Sequence, residues 1–208
     1  LSSVVYTKGV AIVPNTIVST GGAVISYSVN PALPAGLLLD TTTGVISGIP
    51  YAQSTPVNYT VTATGTGGTA TTPLTITVYS VPSNLSYADD PTTYVLGVLS
   101  TPNIPSVSGL ITRFRANPAL PSGLVLDSAS GIISGTPTGT QHFSSNYTVT
   151  ATNPVGSTTG TLNVGIVGAP SNLSYPDDVP TYAANLPILP PNVPSIQGIV
   201  TMYSVTPA

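Results

Sequence analysis

The block Asn30-Pro-Ala-Leu-Pro-Ala-Gly-Leu-Leu-Leu-Asp40 returns 87 residues later as Asn117-Pro-Ala-Leu-Pro-Ser-Gly-Leu-Val-Leu-Asp127. Three further blocks recur with it. Gly44-Val-Ile-Ser-Gly-Ile-Pro50 returns as Gly131-Ile-Ile-Ser-Gly-Thr-Pro137. Asn58-Tyr-Thr-Val-Thr-Ala-Thr64 and Pro82-Ser-Asn-Leu-Ser-Tyr87 return unchanged at Asn146 to Thr152 and Pro170 to Tyr175. A fixed period of this size means one folding unit used repeatedly, and about 88 residues is the size of one small β-sandwich. The expected division is residues 1–81, a first repeat without its opening strand; 82–169, a complete second repeat; and 170–208, the opening of a third.

Within each unit the pattern is that of strands. Tyr59, Val61 and Ala63 alternate with Asn58, Thr60, Thr62 and Thr64, as do Tyr147, Val149 and Ala151 with their polar neighbours. A period of two with one apolar face is a half-buried strand, so these six residues are expected in the core. Ile25, Tyr27 and Val29 are expected to share a face by the same rule. Asp40-Thr-Thr-Thr-Gly44 and Asp127-Ser-Ala-Ser-Gly131 read as turns, in which Asp caps the backbone and Gly supplies positive φ. Several short strands bounded by turns predict an all-β protein made of tandem sandwiches.

Composition agrees and removes several functions. Ser and Thr exceed a quarter of the chain and there is no Glu, a poor mixture for helices. Lys8, Arg113 and Arg115 are the only bases. Three cations cannot form the basic patch that displaces counterions from nucleic acid. No apolar run approaches the roughly 20 residues needed to span a bilayer. There is no Cys, one Lys, and a single histidine, His142. Most nucleophile and general-base pairings are therefore missing, and no catalytic role and no cofactor are expected.

In order, Pro-Ala-Leu-Pro-x-Gly-Leu-x-Leu-Asp, Ser/Thr-Gly-x-Ile-Ser-Gly-x-Pro and Tyr-Thr-Val-Thr-Ala-Thr resemble the immunoglobulin-like (cadherin-like) tandem repeats of large microbial secreted and surface proteins. The resemblance covers nearly the whole chain. It implies an immunoglobulin-like sandwich and a place outside the cell. It implies no active site, since such repeats are scaffolds.

Two sets of residues stand out as sites. Asp89-Asp90 and Asp177-Asp178 recur just after the Ser-Tyr strand, and paired carboxylates near a domain junction are weak candidates for calcium. Asn58, Asn84, Asn146 and Asn172 each open an Asn-x-Ser/Thr acceptor for glycosylation. Glycans, or burial of faces in a filament, would also compensate for a surface with so few charges, since soluble domains are ordinarily about a quarter charged. Arg113 and Arg115 flank Phe114 on one strand and are expected to face solvent or a neighbouring subunit.

The expected function is structural: a segment of a stalk or filament, at the cell surface or secreted, with very little slack between Val78-Tyr79-Ser80-Val81 and Pro82. The alternative is an adhesin or carbohydrate-binding module, which the absence of Trp and the presence of only two Phe make harder to build. The expected partners are glycans and further copies of the chain, or its own continuation, arranged head to tail. The partial third repeat is expected to be completed from outside residues 1–208, either by continuation or by strand addition from a neighbour.

Overall fold

The computed structural model describes residues 2–176, 180–188, 190–198, 200 and 202–205. Among them every regular element is a strand, and no helix is long and apolar enough to cross a membrane.

The first repeat holds β1 (Ser2–Thr7), β2 (Val24–Asn30), β3 (Leu37–Leu39), β4 (Ile46–Gly48), β5 (Ser54–Gly65) and β6 (Gly68–Tyr79). Its main sheet has the order β1-β6-β5-β2, with β1 parallel to β6 and the other pairs antiparallel. The hairpin β3–β4 and the segment through Asn15, which bridges to Ile46, cover that sheet. The second repeat reproduces this with β8 (Thr92–Val95), β10 (Arg113–Asn117), β11 (Leu124–Leu126), β12 (Ile133–Gly135), β13 (His142–Asn153) and β14 (Gly156–Val167), in a sheet ordered β10-β13-β14-β8. It adds a two-stranded antiparallel sheet of β7 (Ser83–Tyr87) and β9 (Pro105–Ser108), with β8 between them in the chain. In the third segment β15 (Ser171–Ser174) pairs with β16 (Ser195–Gln197) as β7 does with β9.

The alternating residues fill the core as the period of two requires. Tyr59, Val61, Ile76 and Val78 are buried in the first repeat, and Tyr147, Val149, Ala151, Leu162, Val164 and Ile166 in the second. Each large apolar side chain so buried contributes about 2 kcal/mol. The two Asp turns form as expected. Asp40 Oδ1 accepts from the amides of Thr42 and Thr43 at 2.8 and 3.0 Å. Asp127 Oδ1 does the same for Ala129 and Ser130 at 2.9 and 2.6 Å. Gly44 and Gly131 follow with φ of +74° and +75°, a conformation that costs other residues strain.

Two expectations need correction. Ile25 does not share the inward face of Tyr27: it is 61% exposed, because the β2–β5 register shifts between Val24 and Ser26 and leaves Ile25 as an extra residue. The second repeat has one residue fewer here, so Phe114 takes the place of Tyr27 on the partner strand. Ala63 is only half-buried, whereas its counterpart Ala151 is fully buried. The reason is the pair β7–β9, which covers that end of the second repeat, with Leu85 in the core beside Ala151; among the described residues no strand covers Ala63.

Candidate assembly site

The first and second repeats meet at a joint only three residues long, Ser80-Val81-Pro82, between the end of β6 and the start of β7. Both sides hold it. The Ser80 hydroxyl donates to Gln53 Oε1 of the first repeat at 2.6 Å. The Asn153 side-chain amide of the second repeat donates to the Ser80 carbonyl at 2.8 Å and to that of Leu110 at 2.9 Å. Asn153 ends β13, just before the two-residue turn Pro154-Val155 that links it to β14, and its Oδ1 accepts from the amide of Val155 at 3.0 Å. Asn153 is 5% exposed, and buried amides stay buried only when their donors and acceptors are paired. Gly156 lies close against Val81: a Cβ there would come within 2.9 Å of its side chain. Sequence reading found the short joint but not Asn153, whose signal was a difference between the tips of the repeated hairpins, Gly65-Thr-Gly-Gly68 against Asn153-Pro-Val-Gly156.

The second feature is a cleft of about 420 Å³ in the first repeat, between the segment Asn15–Thr20 and the strands β5 and β6. Its floor includes Ile46, Val61, Ala63 and Leu74. In the second repeat the corresponding space is filled. Leu85 is 6% exposed and packs in the same core as Ile133, Val149, Ala151 and Leu162. Its carbonyl approaches Gly160, where a Cβ would stand 2.6 Å from it. Tyr87 donates its phenolic proton to the Gly131 carbonyl at 2.7 Å in a buried position. Burial, and then the neighbouring Tyr94, push its pKa up to about 12.

The candidate sites fall as follows. Asp89 and Asp90 are exposed at the start of the link from β7 to β8. Asp90 Oδ1 accepts from the backbone amide of Asn163 at 2.8 Å, which ties this turn to β14. The Asp89 carbonyl accepts from Asn103 Nδ2 at 2.9 Å. Among the described residues no three of His, Cys, Asp and Glu converge on a metal-sized site. Asp177, Asp178 and the side chain of His142 lie outside the described residues.

All four acceptor asparagines are exposed, but they are of two kinds. Asn58 Oδ1 accepts from Thr75 Oγ1 and Asn146 Oδ1 from Asn163 Nδ2, both at 2.8 Å, in matching cross-strand pairs. Asn84 and Asn172 have φ of +58° and +56° and stand where β7 and β15 slip register. Asn is the non-glycine residue best suited to that left-handed conformation. Arg113 and Arg115 are exposed on one face of β10.

These features define an immunoglobulin-like tandem-repeat protein. The chain belongs to the family described as "Putative Ig domain", whose model matches residues 2–79 and 77–167. No curated protein matches it by sequence. Among solved structures it is similar to the N-terminal four Ig domains of Dscam1 isoform 6.44, at 11% identity and TM-score 0.57, covering 79% of this chain and 43% of that one. It is also similar to Dscam1 isoform 1.9, at 9% identity and TM-score 0.56 with the same coverage. The N-terminal eight Ig domains of a Down Syndrome Cell Adhesion Molecule isoform match at 10% identity and TM-score 0.58, over 84% of this chain and 26% of that one. The chain thus spans less than half the length of these three structures, and the likeness is one of fold.

Proposed function

We propose that this chain is a non-enzymatic structural segment of an extracellular stalk or filament built from serial immunoglobulin-like repeats. The observation that carries the reading is the joint. A linker of three residues, bonded to Gln53 on one side and Asn153 on the other, leaves little freedom for bending, as a load-bearing rod needs. An adhesive array built for reach ordinarily uses longer, flexible connections. The scarcity of charge supports the same reading, since 6 Asp and 3 Lys or Arg on 208 residues make a surface that relies on hydroxyls, amides and attached or neighbouring groups.

Glycosylation belongs to this proposal, at Asn58 and Asn146 in particular. Both stand on the outward face of a regular strand and use Oδ1 for their cross-strand bond, while attachment occurs at Nδ2. Electron microscopy of material purified from its source tests the structural role: rods or filaments with a repeat the length of one sandwich are expected. Separate flexible particles that bind a defined glycan would replace this reading with the adhesin.

A further inference from the structure

The outward face of the second repeat's main sheet is a grid of polar side chains. The register sets Arg113, Thr152 and Ser157 in one row across β10, β13 and β14, and Arg115, Thr150 and Thr159 in the next. Five of the six are exposed and Thr150 is half-buried. The first repeat has the same grid without charge, with Ser26 and Ser28 on its β2 where the second repeat has the two arginines.

Two of the three cations of the chain therefore stand on one face of one short strand. Residues two apart on a strand lie about 7 Å from each other. Phe114 between them points the other way and is buried in the core, which anchors the strand from which both guanidiniums project. Among the described residues neither has a hydrogen-bond or ion-pair partner. Asp127 adjoins Ser128, whose carbonyl accepts from the Phe114 amide at 2.8 Å, but its Oδ1 is committed to Ala129 and Ser130. Asp89 and Asp90 belong to the opposite edge of the sheet, just before β8. On a chain of net charge −3, positive charge is thus gathered at one edge of one sheet.

We propose that this face binds an acidic polysaccharide, one whose sugars carry carboxylate or sulfate groups. Arg113 and Arg115 each take an anionic group through paired N–H···O bonds, for which the planar guanidinium is shaped. The hydroxyls of Thr150, Thr152, Ser157 and Thr159 lie beside them and both donate and accept, as sugar hydroxyls do. The anion gains two charged partners, and neither arginine gives up a protein partner to receive it.

The same rows argue against other polymers. A protein partner needs an aromatic or aliphatic anchor at the centre of the contact, and these six positions offer none. Nucleic acid needs more cations, and aromatic rings on which its bases stack. The acceptor Asn146 shares this face but stands four residues from Thr150 along β13, about 13 Å, so a glycan attached there starts well away from the arginine pair.

This inference does not rest on the filament reading. Rods that ignore acidic polysaccharide would remove it alone, and separate particles that bind such a polymer would leave it standing. The test is isothermal titration of the 1–208 chain with polygalacturonate, with dextran sulfate and with neutral dextran. Binding is expected to one or both charged polymers and not to dextran, and the two charged polymers tell carboxylate from sulfate. It should weaken at least about fivefold between about 20 mM and about 150 mM salt, as screening of exposed charges requires.

Arg113→Ser with Arg115→Ser should weaken binding at least about tenfold and leave the melting temperature unchanged. Ser26→Arg with Ser28→Arg should add a second site on the first repeat. Failure to bind either charged polymer overturns the proposal, and so does binding indifferent to the loss of both arginines. Equal binding of poly-aspartate or duplex DNA also overturns it, by reducing the face to bare charge with no preference for sugar.

Discussion

Asn153 and Ser80 belong to different repeats, yet the side-chain amide of one is bonded to the backbone carbonyl of the other at 2.8 Å. With the Ser80 hydroxyl held by Gln53, one linker residue is fastened to both neighbours. The joint is thereby set by hydrogen bonds as well as by shortness. Asn153→Ala would strip the carbonyls of Ser80 and Leu110 of a donor in a buried place, at a cost of about 2 kcal/mol to the second repeat. Residual dipolar couplings measured across the two repeats should show a wider range of relative orientations in the variant. Unchanged couplings would mean that apolar contact between Val81 and the turn at Gly156 fixes the joint alone.

Leu85 is the plug of the second sandwich, and removing it recreates the gap found in the first. Leu85→Ala should lower unfolding free energy by about 3 kcal/mol, within the range for buried leucines that leave a cavity. Urea denaturation followed by tyrosine fluorescence measures it. A loss below about 1 kcal/mol would show that the sheet closes over the space and that a filled cleft is not required for a stable repeat.

Tyr87 provides a pH readout. Its folded pKa of about 12 lies above the ordinary phenol value of 10.0, so the fold favours the protonated form. That contribution is complete below pH 10 and is lost as pH rises from there toward 12. The second repeat should lose stability over this window, and Tyr87→Phe should reduce that dependence to the part owed to Tyr94, whose burial also raises its pKa, while lowering stability at neutral pH by about 1 kcal/mol through the lost bond to Gly131. Thermal melts at stepped alkaline pH distinguish this from general base denaturation, which would persist in the variant.

The acid side is governed by the two turn aspartates. The amides of Thr43 and Thr42 hold the Asp40 carboxyl below its usual value, and the amide and hydroxyl of Ser130, with the amide of Ala129, do so for Asp127. A depressed carboxyl pKa stabilises the fold above the ordinary value of 3.8 and loses that effect as pH falls below it. Melting temperature should therefore fall below about pH 4. Asp127→Asn should flatten the acid response of the second repeat and leave that of the first unchanged.

The strands, the Asp turns and the inward face of Tyr59-Val61 and Tyr147-Val149 were legible because each is written in neighbouring residues. A period of two or an Asp-to-Gly spacing needs no partner to be recognised. What was not legible depends on pairing across the fold. The bulge at Ile25 looks like ordinary alternation until β5 shows which residue has no opposite. The burial of Ala151 follows from β7, whose Leu85 packs in the same core, while no described strand covers Ala63. Asn84 and Asn172 read as glycosylation acceptors, and the same residues serve a left-handed backbone that no sequence pattern marks. Asn153 stands beside a turn, where Asn is common, and only its difference from Gly65 in the first repeat marks it.

The parallel pairing of β1 with β6 determines how the first repeat meets a pull. Ser2 stands beside Leu74 and Thr7 beside Tyr79, with both strands running the same way. Tension along the array draws the start of β1 and the end of β6 in opposite directions. Such a force slides one strand along the other, so the cross-strand bonds of the ladder strain together instead of opening one at a time like a zip. A chain built this way yields late and all at once, which is the mechanical behaviour of a tether.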